Sequence, residues 1–138
     1  MGTTNTPTHP AGPVRDTATR FIDTTRISLS KELLAIMAHP EKLVAFLAFS
    51  PKLHILLAVP GAAEETREYL SNNSGGSLHV DHKVFGKTVS VSSNARINLP
   101  SYIWDHISCV SGDCVRLFVR EKGIEIYPEA EGDKLLYG

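Results

Sequence analysis

The chain has 138 residues, of which 42% are hydrophobic and 21% charged, and its formal net charge is −1 at pH 7. Those proportions suit one small globular domain with a real core and exclude a chain too polar to fold. Near-neutral charge also excludes a polyanion binder held by bulk charge, which leaves a local basic patch as the electrostatic route to nucleic acid.

In chain order, residues 1–20 read as a disordered polar arm. The opening MGTTNTPTHPAGP has neither a positive start nor an apolar core, so it reads as such an arm rather than as an export sequence. Phe21-Ile22 starts a strand, Asp23-Thr24-Thr25 makes a turn, and a strand over Ile27 to Leu29 follows Arg26. Lys31 to Ala38 is predicted helical and ends at His39-Pro40, where proline forbids continuation. Leu43 to Phe49 and Leu53 to Val59 then form an apolar hairpin around Ser50-Pro51-Lys52. Proline and lysine at its centre argue for two strands rather than a membrane helix. Strands this apolar need cover from another part of the chain or another subunit, which predicts an intertwined or oligomeric assembly.

Ala62 to Leu70 has the composition of a helix, with Glu64 and Glu65 in its first turn. Ser71 to Ser77 reads as a flexible linker, and Leu78 to Val91 supplies one or two strands. Arg96 to Leu99 alternates as a strand, Pro100 opens a short helix carrying Ile103, Trp104 and Ile107, and Ser111-Gly112-Asp113 ends it. Cys114 to Arg120 is a strand with Val115, Leu117 and Val119 on one face and Arg116, Phe118 and Arg120 on the other. Glu121-Lys122-Gly123 turns it into Ile124 to Tyr127. Residues 129–138 form an acidic, turn-prone tail.

The same order occurs twice. Arg26-Ile27-Ser28-Leu29-Ser30 matches Arg96-Ile97-Asn98-Leu99-Pro100 at an offset of 70 residues (96 − 26), and Leu33, Leu34 and Met37 answer Ile103, Trp104 and Ile107. A basic residue, an alternating strand, Leu-Pro, a short helix, a Gly-Asp turn and a hairpin ending in Ile124-Glu125-Ile126 resembles the SpoVT/AbrB swapped-hairpin module. Two such units in one chain resemble the MraZ family of bacterial transcriptional regulators. The resemblance runs from about Phe21 to Pro128. It implies a mainly β fold with short helices, α+β in class, built from tandem AbrB-like units that form an intertwined, β-barrel-like domain. The units fall at residues 21–60 and 92–128, with residues 61–91 as connecting helix, linker and strand.

The resemblance further implies a DNA-binding regulator of the cytoplasm, nucleoid-associated, whose homo-oligomer, in ring form, presents an arginine of each unit to upstream DNA repeats. In that family an Asp-x-x-x-Arg motif carries the arginine, and the matching positions are Arg26 and Arg96. Arginine suits the task, because its planar fork bonds a guanine edge in two places or clamps a phosphate without losing charge. Lys31, Lys83 and Lys87 join them as DNA-binding candidates, and Arg116 and Arg120 are further basic residues. The motif is altered: Ser92 stands at the aspartate position of the second unit, Ala95 replaces a glycine, and Asp23 precedes Arg26 by only three residues. The alternative keeps the fold as an assembly or protein-interaction module that does not touch DNA.

Cys109 and Cys114 read as small apolar fillers rather than a disulfide. His79, Asp81 and His82 form the one compact set of metal-ligand types, at a spacing that suits a surface better than a metal centre. Asp105 and His106 are adjacent on one helix and point apart, and no Gly-rich loop, HExxH or paired-carboxylate motif accompanies them. No enzyme, cofactor or membrane partner is expected.

Overall fold

Alternation decides the strands. In Cys114–Arg120 every second side chain, Val115, Leu117 and Val119, is fully buried, and the strand runs over the residues that the pattern predicts. The computed structural model describes residues 9–49, 52–72 and 86–138. Its elements are β1 (Val14–Phe21), β2 (Arg26–Ser28), α1 (Lys31–Ile36), β3 (Lys42–Ala48), β4 (His54–Ala58), a 3-10 turn at Pro60–Ala62, α2 (Ala63–Asn72), β5 (Lys87–Ser90), β6 (Arg96–Asn98), α3 (Ser101–His106), β7 (Cys114–Arg120), β8 (Gly123–Pro128) and α4 (Glu129–Tyr137). The protein is mainly β with short helices, an α+β chain.

Six strands form one antiparallel sheet in the order β1-β7-β8-β4-β3-β5, and β2 and β6 form a separate two-stranded ribbon. The order reads outward from its middle as hairpin then outer strand on both sides. At the centre Ile55 pairs with Ile126 and Leu56 with Glu125, so the 70-residue offset carries one pair onto the other. The ribbon obeys the same offset: Ile27 faces Ile97, Leu29 N–H donates to the Ala95 carbonyl, and Leu99 N–H donates to the Thr25 carbonyl.

One sheet face packs against α1, α3 and the ribbon. Leu33, Leu34 and Met37, their counterparts Ile103, Trp104 and Ile107, and Ile27, Leu29, Ile97 and Leu99 all belong to this core. Each fully buried aliphatic side chain there contributes roughly 1.5–3 kcal/mol. Phe46, Ala48, Leu56 and Ala58 occupy the other face beneath Leu70 of α2, while α4 lies over β7 and β8. The first hairpin is therefore covered on both faces within its own chain, and its apolar composition does not demand a partner subunit. No helix among the described residues is long and apolar enough to cross a membrane.

Three expectations change. Residues 1–20 are not a disordered arm throughout: Val14–Phe21 is a full strand on β7, and Ala11 is fully buried, its carbonyl accepting from Lys122 N–H. The strand escapes a hydrophobicity reading because it is an edge strand with a mostly solvated surface, VRDTATRF, stabilised by main-chain pairing. The 129–138 tail is the helix α4. Pro128 stands at its N-cap, Glu129 and Glu131 suit its first turn, and Gly132 lets it sit on the sheet: a β-carbon there would clash with the Arg116 Cβ. Ser71 and Asn72, assigned to the linker, complete α2 instead, and the rest of that linker lies outside the described residues.

Candidate nucleic-acid interface

Short strands with one apolar residue each build the ribbon. Ile27 and Ile97 point into the core, so their neighbours Arg26, Ser28, Arg96 and Asn98 must point out. The antiparallel register sets Arg26 opposite Asn98 and Arg96 opposite Ser28. The two arginines are thus diagonal neighbours on one exposed face, their Cα atoms roughly 7–8 Å apart. Together with Phe21, Asp23, Ile27 and Ser28 they line a shallow cleft of about 210 Å³.

Both arginines leave tight turns. Asp23 and Arg26 exchange two backbone hydrogen bonds, of 2.8 and 2.9 Å, across Thr24-Thr25, with Thr24 at φ 63°. In the second turn Ser92 N–H donates to the Arg96 carbonyl, and Arg96 N–H donates to Ser92 Oγ at 3.1 Å. Ser92 therefore supplies the side-chain oxygen that an aspartate would supply at that place. Ala95 holds φ 61°, a left-handed conformation that costs a residue with a β-carbon about 1–2 kcal/mol. The ribbon is braced from below: Trp104 Nε1 donates to the Thr25 carbonyl at 3.1 Å, and Thr25 Oγ1 donates to Asn98 Oδ1.

The chain has seven arginines, and five are engaged. Arg15 pairs with Glu121, Arg67 with Glu64, Arg116 with Asp133 and Arg120 with Glu125, while Arg20 donates to the Ser28 and Thr19 carbonyls. Arg26 and Arg96 are the two whose guanidinium groups have no hydrogen bond or ion pair among the described residues. Arg116 and Arg120 are thereby withdrawn from the basic candidates. Lys31 stands exposed at the first position of α1 and shares a groove with Ser92, Ser93 and Ala95, which brings it beside the turn before Arg96. Lys87 is exposed on the edge strand β5, opposite Ala45, and lines neither the cleft nor that groove. Lys83 lies outside the described residues, as do His79, Asp81 and His82. Among the described residues no group of three or more such side chains is arranged so that it could hold a metal ion.

A second polar constellation, missed in the residue pattern, occupies the opposite sheet face between α2 and α4. Glu125, only 7% exposed, accepts from Arg120 Nε at 2.8 Å and from His9 Nε2 at 3.2 Å, and His54 Nε2 faces it at 3.5 Å. His9 Nδ1 accepts from Ala11 N–H, so its Nε2 carries the proton given to Glu125. His54 Nδ1 donates to the Lys52 carbonyl, so its Nε2 binds the carboxylate only when the ring holds both protons. Burial alone would raise the Glu125 carboxyl, but hydrogen bonds from His54 and His9 and the charge of Arg120 outweigh it and hold the group well below the usual range. Burial, reinforced by Glu125, raises the Tyr127 phenol, which therefore remains a donor. Its signal in the sequence is faint. His54 and Glu125 are single polar residues inside apolar strands, and they are 71 positions apart (125 − 54).

The remaining reactive groups are isolated. Cys109 and Cys114 are unpaired, and burial pushes the Cys109 thiol up to about 11. His106 donates from Nε2 to the Ala48 carbonyl, and its burial lowers its pKa, while Asp105 on the same helix is exposed. No protein-family model matches the chain, and no curated protein matches it.

Proposed function

We propose that the protein is a DNA-binding transcriptional regulator that reads DNA with the outer face of the β2/β6 ribbon, as its resemblance to MraZ implies. The observation that carries this reading is selective freedom: of seven arginines, the two at the matching positions are the two without a partner among the described residues. A two-stranded ribbon is of a size that enters the major groove, and Arg26, Arg96, Ser28 and Asn98 are side chains that bond base edges and phosphates. Lys31 adds a phosphate contact at the rim. In this reading the two halves of the chain are tandem swapped-hairpin units of an intertwined, barrel-like domain, and an oligomer presents several ribbons to successive DNA repeats.

A second reading, an assembly module, draws on apolar groups left in solvent: Leu53 near the tip of the first hairpin and Leu136 and Tyr137 at the end of α4. Fluorescence anisotropy separates the two. Labelled DNA from upstream of the gene and a shuffled control are titrated across salt with wild type and Arg96→Ala. The regulator reading expects upstream-selective binding, a loss of about tenfold or more in the variant, and a log–log salt slope shallower by about one. Equal, negligible signals on both DNAs would leave the assembly module.

A further inference from the structure

We infer that the cleft between α2 and α4 binds a small single-ring carboxylic acid. It lies on the sheet face opposite the ribbon, so the inference does not depend on DNA binding. The cleft encloses about 290 Å³, near the lower end for small-molecule sites and room for one ring. Its floor is Glu125, His54, Arg120 and Tyr127, and its walls include Phe118, Tyr69 and Leu135.

The unspent donors select an anion. Glu125 brings one negative charge. Arg120 brings one positive charge to one Glu125 oxygen, and His9 at 3.2 Å and His54 at 3.5 Å face the other. The Glu125 oxygens are thus already met, so the donors left over are free for a second acceptor, in a partly desolvated setting where charge-assisted bonds act more strongly than in water. Two donors are unspent. Tyr127 is 3% exposed, yet its hydroxyl has no hydrogen-bond partner among the described residues, and Arg120 uses Nε on Glu125 and Nη1 on Gly12, leaving Nη2. A carboxylate accepts from both, and an aromatic ring satisfies the apolar walls. A cation of the same shape finds the Glu125 oxygens already engaged.

Sodium benzoate is the probe, with benzylamine as the cation of similar size, titrated into the full chain by isothermal calorimetry and by amide chemical shifts. Benzoate is expected to saturate with a dissociation constant of about 1 mM or tighter, with shifts around Glu125 and Tyr127. Benzylamine is expected to bind at least tenfold more weakly. Tyr127→Phe should weaken benzoate about tenfold. Leu135→Trp, at a position 45% exposed and therefore tolerant of a larger side chain, should block the mouth with the melting temperature unchanged. Absence of benzoate binding at 10-fold higher concentration, equal binding of benzylamine, or binding unaffected by both substitutions would overturn the inference.

Discussion

On the β2/β6 ribbon two exposed guanidinium groups have no ion pair among the described residues, whereas beneath α2 and α4 the guanidinium of Arg120 is held by Glu125, with His9 and His54 on the same carboxylate. The residue types are alike and the consequences differ. A buried carboxylate that lost its partners would be a costly orphan, so the cleft constellation is bound up with stability. An exposed arginine with no partner among the described residues contributes little to folding, so it is available to a ligand. The largest effect expected from breaking this contrast is Glu125→Gln, which leaves Arg120 and His54 facing a neutral amide and should cost about 3 kcal/mol in urea unfolding. Its pH dependence has a definite sign. Because the folded carboxyl is held low, its stabilisation is fully present above the ordinary glutamate value of about 4.3 and fades as pH falls toward the depressed one. The gap in melting temperature between wild type and Glu125→Gln should be widest near neutrality and narrow in acid.

A smaller effect sharpens the other side. Ser92 accepts the Arg96 N–H, so Ser92→Ala should cost about 1 kcal/mol, and Ser92→Asp should keep the bond and the stability. Urea midpoints measured on the same day distinguish the two. If alanine and aspartate behaved alike, the hydroxyl would have no part in holding the turn.

The contrast also explains what was readable in the residues. The strand at Cys114–Arg120, both short helices and the 70-residue recurrence emerge from local alternation, because each buries one face against a common core. The outward placement of Arg26 and Arg96 is readable for the same reason: recurrence marks position, and a strand period says which side chains face outward. β1 and α4 were not, since an edge strand need not be apolar and α4 rests on Gly132 and the Arg116–Asp133 pair rather than on an apolar stripe. The cleft was least visible. His9, His54, Arg120 and Glu125 meet only after the N-terminal segment has docked on β7 and β4 has paired with β8, and neither event has a local signature.

The smallest expected effect is the most discriminating. Arg26 and Arg96 have no partner among the described residues, so replacing both with alanine removes no ion pair or hydrogen bond and opens no cavity; stability should stay within about 0.5 kcal/mol of wild type. It also removes two like charges on one diagonal of the ribbon, which by cross-strand repulsion leans the change toward stabilisation. Thermal and urea unfolding of the double variant measure it. A loss of 2 kcal/mol or more would mean that the ribbon arginines hold the fold as Arg120 does, and their exposure would no longer point to DNA. An unchanged midpoint beside lost DNA affinity would separate the two faces cleanly: one carries charge for the fold, the other holds it ready for a ligand.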